Sequence, residues 1–237
     1  MEGFDFLPFL EKISNFTPTD YQYFHQLFHN RTIVLNEEIC EDILEAVILP
    51  LKDFENDDNL EPVTLILQSV GGSVSDGLAL INIIDNYSKP LNIVVYGYAY
   101  SMCFAILCAG ANNPNVTKKC YNFSTGLWHS GVTILQGETN MINDIQDFNR
   151  KIDNILKEYI IEHTLIPREL YEQKERYQFY FTATELLRYG IVDEIIGEAI
   201  VPKKCTQCLL KNDCENRIDY AFEKASDINC DEFEPDI

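Results

Sequence analysis

The sequence has few basic residues for its size. Its 237 residues include 18 lysines and arginines against 38 aspartates and glutamates, which gives a formal net charge of −20 at pH 7. A chain this acidic repels the phosphate backbone of nucleic acids, which proteins bind through lysine and arginine. Nucleic acid is therefore not an expected partner, and the simplest role of the excess acidic residues is to keep the protein soluble.

Long apolar runs are lacking as well. No stretch reaches the roughly 20 apolar residues that a membrane-spanning helix needs. Near the N-terminus, Glu2 and Asp5 stand where a secretory signal peptide would carry lysine or arginine. We therefore expect a cytoplasmic protein with no membrane partner, in which the eight cysteines stay reduced. The hydrophobic content of 46% and the charged content of 24% are typical of a globular fold.

The chain is predicted to have three parts: a flexible arm over residues 1–20, a folded domain over 21–200 and an acidic extension over 201–237. The extension contains four cysteines, Cys205, Cys208, Cys214 and Cys230. Their CxxC start is compatible with zinc, but the second pair is too widely spaced for a zinc knuckle. The expectation is a reduced tail and no metal. The other four cysteines, Cys40, Cys103, Cys108 and Cys120, are predicted to be buried apolar residues.

Strands and helices alternate along the first half of the chain, which predicts an α/β fold with a parallel sheet. The spacing of apolar residues predicts helices over 37–51, 73–87 and 102–109, and strands over 62–68 and 91–96. Gly97 is expected to end the second of these strands. A strand–helix–strand unit of this kind gives parallel neighbours through a right-handed crossover.

Ser101 stands where a predicted strand turns into a predicted helix. A serine at a helix start is most often an N-cap. The same place also suits an acyl-transfer nucleophile, because unpaired N–H groups at the helix start can hold an anion. The carboxyl ends of parallel strands share one sheet edge, so the Gly71-Gly72 turn is predicted to lie beside Ser101. The local pattern leaves both roles of Ser101 open.

Two further features come from the second half of the chain. His129 follows the single tryptophan at a predicted strand end; an isolated histidine is usually structural. Residues 138–163 carry a sustained apolar stripe at helical spacing. A helix of about 25 residues is longer than a small domain needs for its own core, so we expect it to contact a neighbouring subunit.

Taken together, these segments resemble the ClpP family, the proteolytic subunits of ATP-dependent caseinolytic proteases. The resemblance covers about residues 21–197 and is carried by Ser69-Val70-Gly71-Gly72-Ser73-Val74, Tyr100-Ser101-Met102, His129, Thr182-Ala183-Thr184-Glu185 and Tyr189-Gly190-Ile191-Val192-Asp193. It implies a crotonase/ClpP-like spiral of βαβ units. The long helix would be a protruding handle through which two stacked heptameric rings of identical subunits meet.

The resemblance also implies a serine endopeptidase that needs no cofactor and hydrolyses unfolded polypeptides or peptides inside an oligomeric chamber. Ser101 would be the nucleophile and His129 the general base, with the amides of Gly72 and Met102 forming the oxyanion hole. An AAA+ unfoldase would be the partner. The residues expected to flank an extended substrate are Gly71, Ser73, Val74, Gly131, Val132 and Thr133.

Two departures from the family pattern bear on function. Gln178 stands at the position of the aspartate that completes the family's triad, which suggests slow catalysis, charge from a neighbour such as Glu175, or lost activity. Thr64 and Ile66 replace two tyrosines of the unfoldase-docking cleft, which weakens the expectation of a standard Clp ATPase partner. The alternatives are a silent ring subunit and, less favoured, a crotonase-fold acyl-CoA enzyme, which would not require a Ser–His pair.

Overall fold

A computed structural model of the chain describes residues 26–131, 136–174 and 177–197. The predicted arm and the cysteine-containing extension lie outside these residues. Within them the strands are β1 (Thr32–Leu35), β2 (Val63–Ser69), β3 (Leu91–Tyr100), β4 (Val116–Tyr121), β5 (Thr125–Trp128), β6 (Phe179–Thr182) and β7 (Glu194–Ile196). A π-helical turn (Leu44–Ile48) leads into α1 (Leu49–Asn56), and the other helices are α2 (Val74–Asp85), α3 (Met102–Cys108), α4 (Thr139–Glu162), α5 (Arg168–Lys174) and α6 (Ala183–Arg188).

The predicted parallel α/β architecture is confirmed. The strands run in the order β1-β2-β3-β4-β7, and all of these pairs are parallel. Strand β3 belongs to two branches, because Leu91–Val95 pairs with β4 whereas Tyr98–Tyr100 pairs with β5. Strand β5 in turn pairs with β6 in the antiparallel sense. The end of β3 is therefore held among β2, β5 and the helix that follows.

Gly97 does not end the strand, contrary to the prediction. Strand β3 continues through it to Tyr100, and the pairing with β2 shifts from Leu67↔Val95 to Ser69↔Ala99. Strand β3 thus contains extra residues at a bulge. A Cβ atom on Gly97 would lie 3.0 Å from Oε1 of Gln68, so the missing side chain admits the close approach of β2.

The predicted helix over 37–51 is displaced along the chain. Ile39 instead forms an isolated parallel bridge with Gly72, and its N–H donates to the carbonyl of Gly71 at 2.8 Å. This tertiary contact overrides the helical periodicity of residues 37–42. At its other end the helix continues past residue 51 to Asn56.

Helix α3 is the centre of the hydrophobic core. All seven of its residues are buried, and the ring of Phe104 stacks on that of Phe181 with centroids 4.9 Å apart. Cys103, Cys108 and Cys120 are buried as predicted. The prediction for Cys40 is wrong, because this residue is exposed; it follows Ile39, which forms the bridge with Gly72.

Helix α4 contacts the body of the domain through its C-terminal half. Leu156 and Ile160 are buried there, and the hydroxyl of Tyr159 donates to both carboxylate oxygens of Asp85, at 2.9 Å each. The helix spans Thr139–Glu162, which agrees with the predicted 138–163.

One charged cluster fastens the start of the sheet to the end of α1. The carboxylate of Asp57 forms ion pairs with Arg31 and with Lys89, and the Lys89 Nζ lies 2.9 Å from Asp57 Oδ1. Partial burial of Asp57 opposes its ionisation, but the hydrogen bonds from Arg31 and Lys89 outweigh this and lower the pKa of Asp57 to about 2. Ionisation of Asp57 therefore stabilises the folded state.

The variant Asp57→Asn is expected to unfold more easily at pH 7, by about 1–2 kcal/mol, because two cationic donors lose their charged acceptor. The folded pKa of Asp57 lies below its ordinary value of 3.8. Its stabilising contribution is thus present above that value and lost as the pH falls towards 2. Thermal melts at several pH values should show the two proteins converging below pH 4, whereas Asp58→Asn, an exposed neighbour, should melt like the unsubstituted protein at every pH. A constant difference for Asp57→Asn across this range would contradict the assignment.

Candidate active site

Ser101 connects the end of β3 to the start of α3 in a strained conformation. Its φ of 54° and ψ of −122° lie in a region that residues with side chains rarely adopt. The conformation is held by the backbone, since the N–H of Ser101 donates to the carbonyl of Leu127 in β5 at 2.7 Å. The cost of such strain is of the order of 1–3 kcal/mol, and residues of this kind cluster at functional sites.

The N-cap role considered for Ser101 is not the one that the structure shows. Its side chain makes no capping hydrogen bond to α3. The first turn is instead closed by main-chain bonds, from the N–H groups of Phe104 and Ala105 to the carbonyl of Ser101. The half-buried hydroxyl of Ser101 therefore has no structural partner in the described part of the chain.

The Gly71-Gly72 turn lies against Ser101, as the parallel topology predicts. A Cβ atom on Gly71 would lie 2.7 Å from the Cβ of Ser101 and 2.8 Å from the amide nitrogen of Met102. Gly72 is confined on its other side, where a Cβ atom would lie 2.2 Å from the carbonyl oxygen of Ile39. Their φ values are +95° and +148°, so the turn requires glycine both for its conformation and for its close contacts.

Two main-chain donors at this edge have no acceptor among the described residues. In the bridge to Ile39, the carbonyl of Gly71 accepts a hydrogen bond and the N–H of Ser73 donates one. The N–H of Gly72, which lies between them in the chain, takes no part in the bridge. The N–H of Met102, first in α3, likewise makes no hydrogen bond within residues 26–131, 136–174 and 177–197. Two such N–H groups near one hydroxyl are the elements from which an oxyanion hole is built.

His129 follows the last residue of β5 and is half-buried. Its Nδ1 lies 2.8 Å from the carbonyl oxygen of Ser130. The bond between Ser101 and Leu127 ties the strand that carries His129 to the Ser101 turn. No hydrogen bond joins His129 to the hydroxyl of Ser101 in the part of the chain that is described, a common feature of unliganded sites, in which such bonds tighten when substrate binds.

Gln178 and His129 flank the same end of the β5–β6 pair. The last pair of that register is Trp128 opposite Phe179, and His129 and Gln178 are the next residues on the two chains. Oε1 of Gln178 accepts a hydrogen bond of 2.6 Å from the hydroxyl of Tyr180. Among the described residues, no hydrogen bond joins Gln178 to His129.

The residues predicted to flank substrate are described in part. Ser73 caps α2 by accepting from the N–H of Asp76, and Val74 is the first residue of that helix. Gly131 is exposed, and a Cβ atom on it would lie 3.8 Å from Oδ1 of Asp153 in α4. Burial raises the pKa of the Asp153 carboxyl above its ordinary value. Val132 and Thr133, and also Glu175, lie outside the described residues.

The described ranges contain no group of three or more histidine, cysteine, aspartate or glutamate side chains arranged to hold a metal ion. The four cysteines considered for zinc are outside these ranges. None of the helices described is both long and apolar enough to cross a membrane.

Comparison with known proteins decides the family. The family model described as Clp protease matches residues 16–199, most of the chain. The chain belongs to the Clp protease family. With this match, the parallel sheet and its helices are those of the ClpP/crotonase-like fold. The resemblance stated from the motifs is confirmed.

Several curated relatives are similar at low identity. The ATP-dependent Clp protease proteolytic subunit of Cyanophora paradoxa is 28% identical over 171 residues, 72% of this chain and 86% of the relative. Subunit 1 of the same protease from Prochlorococcus marinus is 26% identical over 184 residues (75% and 89%). The subunit from Dehalococcoides mccartyi is 28% identical over 178 residues (72% and 84%). This chain is a divergent member of the Clp protease family.

Sequence reasoning missed four residues that lie around the candidate site. Leu127 holds the Ser101 turn and Ser130 holds His129, both through main-chain carbonyls that leave no trace in residue type. Tyr180, which contacts Gln178, and Asp153, beside Gly131, come from other elements. The alternation of buried and exposed residues in β6 places Tyr180 on the same face as Gln178, so that contact alone had a signal in the sequence.

Proposed function

We propose that this chain is a serine endopeptidase of the ClpP type that hydrolyses peptides or unfolded polypeptides. The observation that carries the proposal is Ser101: its backbone is strained, its hydroxyl makes no hydrogen bond in the described part of the chain, and it lies against the glycine turn, in which the N–H of Gly72 has no acceptor among the described residues. Membership of the Clp protease family supports this reading. A serine required only as a helix cap would need neither the strain nor the contact with Gly71.

The proposed mechanism assigns one step to each group. The Oγ of Ser101 attacks the scissile carbonyl while Nε2 of His129 takes the hydroxyl proton, and the same proton then goes to the leaving amine. The N–H groups of Gly72 and Met102 stabilise the negative charge on the carbonyl oxygen; each such donor typically contributes about 2.7–4 kcal/mol. Water then releases the acyl group from Ser101 by the reverse sequence of proton transfers.

Substrate binding is proposed to occur by strand addition. An extended peptide would lie between the chain that follows Gly72, including Ser73 and Val74, and the segment that begins at Gly131. Main-chain hydrogen bonds would supply the affinity, and alternate side chains would contact the flanking surfaces. This mode tolerates many sequences, as a protease for unfolded chains requires.

Partners are proposed from the family. The relatives named above are subunits of ATP-dependent Clp proteases, so a AAA+ ATPase is the partner proposed for this chain. The docking surface differs in detail, because Thr64 is half-buried and Ile66 is only 9% exposed, where the resemblance led us to expect tyrosines. The proposed partner therefore uses a docking loop of different chemistry.

The assembly is proposed to be two stacked heptameric rings joined through helix α4. Three large apolar side chains of α4 are more than half exposed in the single subunit: Met141 (56%), Phe148 (61%) and Ile155 (56%). Their spacing of seven residues places them along one stripe of the helix. Such a stripe is stabilised by burial against another subunit, as expected for the handle of a ClpP-type ring.

The variant Phe148→Asp is expected to separate the rings, because it places a charge in the middle of this stripe. Burial of one phenylalanine contributes about 1.5–3 kcal/mol, and every subunit of the interface loses it. Native mass spectrometry should show the assembly at half its mass or less. The matched control is Gln146→Asp, which adds the same charge at an exposed position of the same helix and should leave the mass unchanged. An intact assembly of Phe148→Asp would contradict the role of the stripe.

A fluorophosphonate probe tests the proposed activity directly. Covalent labelling of the assembled protein at Ser101, located by peptide mass spectrometry, is the expected result. An assembled ring that stays unlabelled, under conditions that label a known serine protease, would favour a silent ring subunit. Turnover of an acyl-CoA thioester without labelling would favour the crotonase-type alternative.

A further inference from the structure

We infer that the main-chain carbonyl of Ser130, rather than the side chain of Gln178, holds the Nδ1 proton of His129 and so sets its tautomer. This inference rests on the proposed function, in which His129 is the general base for Ser101. It assigns Ser130 as a positioning residue that acts through its backbone. The substituted triad position would then not be needed to orient the imidazole.

The direction of the hydrogen bond follows from its chemistry. A carbonyl oxygen only accepts hydrogen bonds, so in the 2.8 Å contact between Nδ1 of His129 and the Ser130 oxygen the proton must be on Nδ1. A neutral imidazole with its proton on Nδ1 has a lone pair on Nε2. That lone pair is the one that must accept the proton of Ser101. The contact therefore selects the tautomer that a general base requires.

Gln178 is poorly suited to the same task in this structure. Its Oε1 accepts from the hydroxyl of Tyr180 at 2.6 Å, and its other end is an NH₂ group that only donates. If this NH₂ group turned towards His129, Nδ1 would have to accept, and the proton would move to Nε2. The tautomer would then be unproductive. A carbonyl in the adjacent residue avoids this ambiguity, because it cannot act as a donor.

The Ser130 carbonyl follows a strand that is bonded to the Ser101 turn. Upstream, the carbonyl of Leu127 is bonded to Ser101. This bond fixes the end of the strand from which His129 and Ser130 continue. The acceptor is thus positioned by the fold rather than by the side chain at position 178.

Nitrogen NMR of the full-length assembly, with ¹⁵N-labelled histidine, tests the inference independently of activity. The chain has four histidines, and the spectrum of His129→Gln identifies the signals of His129. At a pH where the ring is neutral, the expected pattern is a protonated Nδ1 and an unprotonated Nε2, in the unsubstituted protein and equally in Gln178→Ala. A proton on Nε2 in the unsubstituted protein, or a change of tautomer in Gln178→Ala, would overturn the inference.

Kinetics provide the second readout. In Tyr180→Phe, which keeps the ring and removes the hydroxyl bonded to Gln178, kcat/KM is expected to stay within about threefold of the unsubstituted protein. A loss of a hundredfold or more in Gln178→Ala, with the assembly intact, would show that the amide orients His129. Failure of the proposed function is distinguishable, because an unlabelled Ser101 would refute catalysis while the tautomer of His129 could still be measured.

Discussion

The variant Ser101→Ala is expected to lose peptide hydrolysis by at least a thousandfold in kcat, together with all labelling by a fluorophosphonate. The reason is that the acyl-enzyme route needs an oxygen at this position, and the neighbouring groups cannot provide one. In a serine protease with a complete triad, removal of the nucleophile costs on the order of 10⁶ in kcat. The expected factor is smaller here, because a triad without its carboxylate starts from a lower rate.

Two controls separate this loss from a loss of folding. Ser88→Ala removes a serine hydroxyl that is bonded to Glu55 at the surface and should leave hydrolysis unchanged. Circular dichroism and native mass spectrometry should show that Ser101→Ala keeps its fold and assembly, because alanine keeps the Cβ atom and the hydroxyl makes no hydrogen bond in the described part of the chain. Hydrolysis at more than a tenth of the original rate in Ser101→Ala would mean that another group is the nucleophile.

Cys103 is not a credible substitute nucleophile in that experiment. It lies two residues after Ser101 but is fully buried in α3. Burial raises the pKa of its thiol to about 12, despite main-chain hydrogen bonds from Ser69 and Tyr100 that lower it. The thiolate is the reactive form of cysteine, so at neutral pH this residue is an apolar core group.

The parts of the fold that could be predicted are those in which local pattern and tertiary structure agree. The crossover from β2 through α2 to β3 followed from apolar spacing, and the long α4 followed from its stripe. Thr182 is the N-cap of α6 and forms a capping box with Glu185, an arrangement that a threonine three residues before a glutamate favours. In these segments each residue's own preference matches its final environment.

The wrong predictions of secondary structure concern segments whose conformation is determined by a contact with a residue distant in sequence. Ile39 has helical spacing, yet it pairs with Gly72. Gly97 looks like a strand end, yet it is the bulge at which β3 passes Gln68. Strand β4 was not predicted, and one reason is that it contains Lys118, whose side chain is only 2% exposed. The N–H of Lys118 donates to the carboxylate of Asp193 at 2.7 Å. A buried lysine in a strand breaks the alternation on which the sequence prediction depends.

The candidate site likewise has features that could be predicted from the sequence and features that could not. Residue types and spacing were enough to place Ser101 at a strand-to-helix joint beside the Gly71-Gly72 turn. The strain at Ser101 and the main-chain acceptors at Leu127 and Ser130 could not be predicted, since a carbonyl is present at every position. What distinguishes these two carbonyls is where β5 ends, and that depends on the pairing of β5 with both β3 and β6.

The second large effect is expected from Gln178→Asp, which should speed peptide hydrolysis by about 10- to 1,000-fold. In the proposed mechanism His129 becomes an imidazolium when it takes the proton of Ser101. A nearby carboxylate would stabilise that charge, whereas a carbonyl or an amide does so only weakly. Replacing the acid by its amide in a complete triad costs about 10⁴. The full factor is not expected here, because the Ser130 carbonyl already provides the productive tautomer and only the charge is missing.

The matched control is Gln178→Asn, which has the size of the aspartate without its charge. If the gain came from a shorter side chain, the two variants would be equally fast. If it comes from stabilisation of the imidazolium, only the aspartate variant is faster, and the gain should appear mainly in kcat, since the charge develops in the transition state. Equal rates for the aspartate, asparagine and unsubstituted proteins would show that position 178 has no electrostatic influence on His129, and that the ring draws both its orientation and its charge stabilisation from elsewhere in the site.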